Sequence, residues 1–335
     1  YQKTVPDTDS RIATTLYELG IAHVKQHKYV QAEQYFQRAL WLYEASDPKN
    51  EVGMANALYG KGLALNETSQ HSKAAQELAL ALKIYGRQMP PDNLRTADTL
   101  IALSESLQSQ RRYAEAKDLL QQALKLKAKD QDAPNIILRL GMNCFYQGLF
   151  DCAKEEFQRA LTIREKSPGP DQIDLAETLT WVGGNYFSLG EYPDAERLLR
   201  RAIEIRTRFH HPPALTASSI GSLSNVVRLR GSIVQAEQLK IEALRTIEDS
   251  LGQNHPSAIK YIYDLGFFYL QTGRPKEAKD LVERVHLHYS ADGTETLDLA
   301  RALKLLGVLS GKERKYSDAE LYYKRALAIV NTTGD

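Results

Sequence analysis

The sequence predicts an all-α protein built as an array of eight helical hairpins, and three observations carry that prediction. Helix-forming Ala, Leu, Gln, Glu, Lys and Arg dominate, with apolar residues recurring at i, i+3, i+4 and i+7 and Pro or Gly interrupting at intervals. An Ala followed seven residues later by a second small residue, usually with Leu after it, returns eight times at successive spacings of 42, 42, 37, 42, 41, 42 and 41 residues. Twelve residues ahead of every copy stands another small residue: Gly20, Gly62, Ser104, Gly141, Gly183, Ser224, Gly266 and Gly307.

The repeats run in order from about residue 10 to 331, at 10–46, 51–88, 92–129, 133–166, 171–209, 212–250, 255–290 and 294–331. Their second helices read "AEQYFQRAL" from Ala32, "AAQELALAL" from Ala74, "AKDLLQQAL" from Ala116 and "AKEEFQRAL" from Ala153. The remaining four are "AERLLRRAI" from Ala195, "AEQLKIEAL" from Ala236, "AKDLVERVH" from Ala278 and "AELYYKRAL" from Ala319. In each first helix, apolar residues flank the small one on a single face, as Leu16 and Leu19 do beside Gly20, or Leu179, Val182 and Tyr186 beside Gly183. Glycine inside a helix costs about 1 kcal/mol against alanine. Its recurrence is explained if the second helix crosses closely there, with the anchor Ala as the contact.

Between repeats, "LGQNHPSAIK" (Leu251–Lys260) shows the punctuation. Gly252 ends one helix and His255-Pro256 opens the next, where proline is tolerated because its missing N–H has no intrahelical partner. "MPPDN", "SPGPDQ" and "HHPPA" read the same way. The fourth repeat is five residues short at "AKDQDAPN", which predicts a local change of pitch or a division of the array into three and five repeats. Leu327, Ile329 and Val330 face no following neighbour, so the chain reads as part of a longer protein, and Tyr1 leaves open a removed signal peptide.

This text resembles the tetratricopeptide repeat, in the long, roughly 42-residue form of kinesin light chains. "GEYPDAERLLRRAIEIR" and "LGQNHPSAIKYIYDLGFFYLQTGRPKEAKDL" carry the likeness most clearly. The resemblance implies a right-handed α-solenoid superhelix whose first helices line a concave groove, and it implies binding of a peptide or protein partner there. The light chains' paired-Asn run is replaced by "LYELG", "LTWVGG" and "LSNVV", so the fold and the interaction role carry over, and cargo recognition by a motor does not.

Composition narrows the function. The chain carries 43 Lys and Arg against 42 Asp and Glu, so no global field draws it to nucleic acid or to an anionic membrane. No apolar run approaches the ~18 residues that span a bilayer. Cys144 and Cys152 are the only cysteines and read as small buried thiols in a reducing, cytoplasmic compartment. Eight histidines are scattered without metal-ligand spacing: His286 and His288 point apart on one helix, while His210 and His211 read as solvated or capping loop residues. Nothing gathers into a nucleophile motif, a phosphate loop or a dinucleotide fingerprint. No catalytic residue, cofactor or metal is therefore expected. The basic run Arg197, Arg200, Arg201, Arg206 and Arg208 has Glu196 and Glu204 interleaved and reads as a solvated outer face.

Helical spacing then assigns the groove. Offsets of −6, −3, +1 and +4 from each first-helix small residue face away from the hairpin core. They include Tyr17, Tyr59, Asn66, Phe145, Phe187, Asn225, Arg228, Lys260, Tyr263, Phe267, Arg301 and Lys304, which are the expected partner-binding residues. Aromatic and Arg side chains concentrate binding energy, and Asn bonds a peptide backbone. Acidic groove residues (Asp98, Glu105, Glu177) fall in repeats three and five, basic ones in repeats six to eight. The expected ligand is a peptide with an acidic stretch over repeats six to eight and an apolar anchor near Phe187, Tyr263 and Phe267. The expected function is a non-enzymatic scaffold. The alternative is a sensory array that controls a catalytic domain elsewhere in the same polypeptide.

Overall fold

The computed structural model describes residues 10–46, 49–87, 93–127, 133–166, 169, 172–253, 255–292 and 296–333. All regular structure among them is helical, in sixteen helices paired as eight consecutive hairpins. The first four pairs are α1 (Ser10–Lys25) with α2 (Tyr29–Ala45), α3 (Glu51–Glu67) with α4 (His71–Tyr85), α5 (Asn93–Ser109) with α6 (Tyr113–Leu126), and α7 (Ala133–Tyr146) with α8 (Phe150–Lys166). The last four are α9 (Ile173–Ser188) with α10 (Tyr192–Arg208), α11 (Pro213–Leu229) with α12 (Ile233–Leu251), α13 (Pro256–Gln271) with α14 (Pro275–Asp292), and α15 (Leu297–Lys312) with α16 (Tyr316–Thr333).

Each hairpin turns through one left-handed residue, five positions before the anchor Ala. Glycine takes it at Gly148, Gly190, Gly231 and Gly273, and His27, Ser69, Arg111 and Arg314 take it elsewhere. The two helices then cross where the small residue was expected, but the contact differs from the expectation. The anchor Ala is buried, yet the group lying on the glycine is the side chain four residues later. A Cβ on Gly20 would stand 2.6 Å from the Phe36 ring, and one on Gly307 2.7 Å from the Tyr323 ring. A Cβ on Gly183 would stand 2.9 Å from Leu199. The side chain advances one turn beyond the Ala, so a bulky group and a bare backbone interlock.

The chain forms two compact units, Tyr1–Ile163 and Arg164–Asp335. In the first, the core runs from Ala13, Leu16 and Tyr43 through Ala55, Leu58 and Tyr85. It continues as a separate cluster of Ala97, Leu100, Leu120, Ala123, Ile136 and Leu140. That cluster joins repeats three and four, so the expected division into three and five repeats is corrected: the boundary falls inside α8. The connection "AKDQDAPN" itself lies mostly outside the described residues, as do most of "MPPDN" and "SPGPDQ". In the second unit one continuous cluster links Leu199, Ile220, Leu223 and Ile247 to Phe268, Val285, Leu306 and Ile329. Within each unit, first helices touch first helices of neighbouring hairpins: α1, α3 and α5 in one, and α9 with α11 and α13 with α15 in the other.

Four further readings are settled here. His255 caps α13, its Nδ1 accepting from the Ser257 N–H at 3.1 Å, so this histidine is punctuation. His211 is buried and stacks on Phe209, which corrects its reading as a solvated loop residue. Ile329 is buried on its own hairpin, whereas Leu327 and Val330 are exposed. Cys144 and Cys152 are joined as a disulfide with Cα atoms 5.9 Å apart, because the turn at Gly148 brings α8 straight back along α7. The expectation of two free thiols is thereby corrected, and the argument from them for a reducing, cytoplasmic compartment loses its ground. No helix among the described residues is long and apolar enough to cross a membrane.

Candidate functional site

The candidate site is the first-helix face assigned by spacing; its expected separation from the hairpin core is corrected at the −6 positions, which the hairpin's own second helix reaches. In the first unit, a recurring internal bond governs it. Eleven residues after the anchor Ala, the second helix sends a polar side chain under its own first helix to the position six before the small residue. Tyr43 donates to Thr14 Oγ1 at 3.1 Å, Tyr85 to Asn56 Oδ1 at 2.7 Å, and Lys127 Nζ to Asp98 at 2.8 Å. Only 4% of the Lys127 side chain is exposed, so Asp98 holds a buried cation. Arg95 also reaches Asn56, and Arg139 pairs with Glu105.

The other expected groove residues of this unit are also engaged. Asn66 accepts from Ser106 Oγ at 2.8 Å and donates to the Ala102 carbonyl at 3.3 Å, tying α3 to α5. Tyr17 is half-buried against the Phe36 ring, with centroids 5.7 Å apart. Tyr59 lies half-buried between two core clusters. Its phenol is pushed up to about 12, first by burial and then by the nearby Asp98 and Glu105 carboxylates. Phe145 packs on the Phe150 ring at 5.4 Å.

In the second unit the same register begins alike and then changes. Arg206 is buried beneath α9, donates to Thr180 Oγ1 at 3.3 Å and to the Leu215 carbonyl, and faces the charge of Glu177. Burial pushes its guanidinium down, and Glu177 opposes that shift. In repeat six the corresponding residue is Ile247, and in repeat eight Val330, neither of which can donate. The first-helix positions they would serve are Ser218 and Arg301, with Lys260 between them in repeat seven. Lys260, Lys304 and Arg301 are exposed, and Arg228 is half-buried. Among the described residues, Arg228, Lys260 and Lys304 make no ion pair.

Aromatic surface accompanies these cations. Tyr263 and Phe267 stack one turn apart on α13, their rings nearly parallel (4°) with centroids 6.3 Å apart, and Phe267 is 42% exposed. Phe187 instead rests on Tyr192 at 5.9 Å and against the core of its unit. Asn225, exposed on α11, accepts from Lys240 Nζ at 3.4 Å. The structure thus brings Asn225, Arg228, Lys260, Tyr263, Phe267, Arg301 and Lys304 onto neighbouring first helices of one unit. Tyr17, Tyr59, Asn66 and Phe145 belong to the other.

Two residues near this face escaped the reading by spacing. Lys240 occupies a second-helix core position, and Asp264 lies half-buried on α13 amid Lys240, Lys260 and Arg301. Comparing "AEQLKIEAL" with the other seven copies was enough to notice the lysine. Of the basic run, Arg197 pairs with Asp194 at 2.9 Å, Arg200 with Glu196 at 2.7 Å and Arg201 with Glu165 at 2.5 Å, as expected of a solvated face; Arg206 is buried instead, which corrects its reading as part of that face. Among the described residues, no three His, Cys, Asp or Glu side chains gather as a metal site.

Comparison with known proteins gives consistent results for the fold. Models of the tetratricopeptide repeat match residues 53–129, 132–208 and 261–332, with further matches at 17–88 and 216–257. Among solved structures, BtubC (BKLC) from P. vanneervenii superposes with a TM-score of 0.55 at 18% identity, over 69% of this chain and 92% of that one. Aspartyl phosphate phosphatase F from Bacillus subtilis gives 0.58 at 12% identity, over 96% and 94%. A Rap protein complexed with Competence and Sporulation Factor gives 0.56 at 13% identity, over 97% and 99%. At these identities the likeness is one of fold. Comparison with curated protein sequences gave no match.

Proposed function

The chain belongs to the tetratricopeptide repeat family, and on that premise we propose that it is a non-catalytic scaffold. It binds an extended peptide segment of a partner on the first-helix face of its second unit. One observation carries this reading: among the described residues, Arg228, Lys260 and Lys304 are left without an ion pair beside the stacked Tyr263 and Phe267, whereas acids of the first-helix face elsewhere are answered from within. Asp98 and Glu105 are paired, and Glu177 faces Arg206. Open cations beside an aromatic step suit a ligand with acidic residues and an apolar anchor. The Rap protein of similar fold, held with Competence and Sporulation Factor, lends support by analogy alone.

The test is retention of a random heptapeptide library, capped at both ends, on immobilised protein. The double variant Lys260→Glu with Lys304→Glu should lower retention of acidic members about tenfold, since exposed pairs contribute ~0.2–1 kcal/mol each and reversal adds repulsion. Its circular dichroism should match that of the parent, and the difference should shrink in high salt. Unchanged retention at low salt means that this face is not the site.

A further inference from the structure

Inside each unit one kind of joint recurs. The second helix of a hairpin packs against the first helix of the next, at α2–α3, α4–α5, α6–α7, α10–α11, α12–α13 and α14–α15. The second helix brings to it the residues eight and eleven after the anchor Ala. Those at eleven are Tyr43, Tyr85, Lys127, Arg206, Ile247 and Tyr289, and all are buried. The first helix brings the residues five and one before its small residue, which share one face. Between repeats three and four, Leu124 packs in this way against the cluster that holds Ile136 and Leu140.

The first and last hairpins each expose one half of such a joint. On α16, Leu327 and Val330 hold the places eight and eleven after the anchor and are 61% and 44% exposed, although α15 packs against α16 as a first helix does in other hairpins. On α1, Thr15 and Leu19 hold the places five and one before the small residue. Thr15 is exposed, and Leu19 is 39% exposed where Leu103, Leu140, Leu223, Leu265 and Leu306 are buried. Ile12 lies two turns before Leu19 on the same face, at an open cleft of about 350 Å³ between α1 and α2 that Gln37, Arg38, Trp41 and Leu42 also line. This cleft is the seat that a preceding second helix takes in the joints within a unit. There, the residue six after the anchor reaches that preceding helix, as Arg284 does in pairing with Glu248 at 2.5 Å. Arg38 stands at the place of Arg284 in repeat one, and Asn331 at the place of Glu248 in repeat eight.

We propose that the chain associates with copies of itself end to end, α16 of one copy seating on α1 and in the α1–α2 cleft of the next. The occupant is a second copy because the two exposed faces are the two halves of a joint that this chain builds repeatedly within itself, and each half carries the register the other needs. Leu327 of one copy takes the place beside Thr15 and Leu19 that Leu124 takes beside Ile136 and Leu140. Arg38 donates to the side-chain carbonyl of Asn331. Apolar surface of Leu327, Val330, Leu19 and Trp41 leaves water at the joint. The two faces are different surfaces, so the contact is heterologous. A dimer keeps one face of each kind open, and association continues until a ring closes.

Sedimentation velocity of the chain should show a mass that rises with concentration and passes beyond the dimer. Leu19→Glu and Leu327→Glu each place a charge in one face. Both positions are exposed, so each variant should melt as wild type does and stay monomeric when alone. Mixed in equal amounts, the two variants should form a dimer and nothing larger. The α16 face of the Leu19→Glu chain and the α1 face of the Leu327→Glu chain remain intact, and together they make one joint. Thr15→Arg, on the same face of α1, should behave as Leu19→Glu does and replaces it if that variant unfolds. A wild-type chain that stays monomeric at every concentration overturns the proposal and leaves the two faces to further repeats or to another protein. So does either variant associating alone as wild type does, or a mixture that stays monomeric while wild type associates.

Discussion

Repeats one to three and repeats six to eight share a backbone plan but treat one position of it differently. In the first group, the side chain eleven residues past the anchor is Tyr43, Tyr85 or Lys127, and each bonds the first helix above it. In the last group it is Ile247, Tyr289 or Val330, and the first-helix residues above are Ser218, Lys260 and Arg301. Where the bond is made, a polar first-helix side chain becomes part of the scaffold. Where it is not, as at Lys260 in repeat seven, the side chain stays exposed on the first-helix face. Polarity on a helix face therefore says little about binding until its internal partners are known.

The strongest way to break this comparison is to remove Asp98, the acid that holds the buried Lys127. Asp98→Ala takes from the buried Lys127 the carboxylate it donates to, and should cost about 3 kcal/mol, the lower end for such a deletion because Asp98 is itself partly exposed. Lys260→Ala, at the corresponding first-helix position of repeat seven, should change stability by no more than about 0.5 kcal/mol. Urea denaturation of both variants decides the matter. Equal effects would mean that the two regions do not differ in this respect.

A smaller effect sharpens the same contrast through pH. Tyr59 sits beside the paired acids with its phenol raised to about 12 from an ordinary 10.0. A folded-state value above the unfolded one favours the protonated form, so its contribution to stability is whole below pH 10 and is lost as pH rises towards 12. Tyr59→Phe should be less sensitive to that rise than wild type, with the two curves parallel below pH 10. Stability measured at intervals from pH 9 to 12 shows whether they diverge.

Much of the fold was legible because it is written eight times. The anchor Ala, the small residue twelve before it and the apolar face around both located every hairpin. The single-residue shift from Leu or Phe to Lys240 was also in plain view. What spacing could not supply was pairing across the hairpin. Asp98 and Lys127 are 29 residues apart, and no local pattern says that one neutralises the other. Asn66 looks like a peptide-binding amide in sequence, yet it is spent on Ser106 and Ala102. Burial alone reads Cys144 and Cys152 as free thiols, and it is the return of the chain at Gly148 that makes them a disulfide.

The smallest expected effect concerns the turns, where the two groups of repeats also differ. The left-handed residue is His27, Ser69 and Arg111 in repeats one to three, but Gly231 and Gly273 in repeats six and seven, with Arg314 in repeat eight. An L-residue with a Cβ pays about 1–2 kcal/mol to hold this conformation, and glycine does not. Glycine gives part of that back through its greater freedom when unfolded. Arg111 is exposed at φ 60°, and its N–H bonds the Gln108 carbonyl at 2.9 Å, a bond glycine keeps. Arg111→Gly should therefore stabilise the first unit by about 0.5–1 kcal/mol. Gly231→Ala, the opposite change in the second unit, should destabilise by a similar amount, although no heavy atom lies near enough to obstruct the added methyl. If thermal melts show both substitutions to be neutral, the turns do not distinguish the two groups, and the contrast between them is confined to the first-helix face.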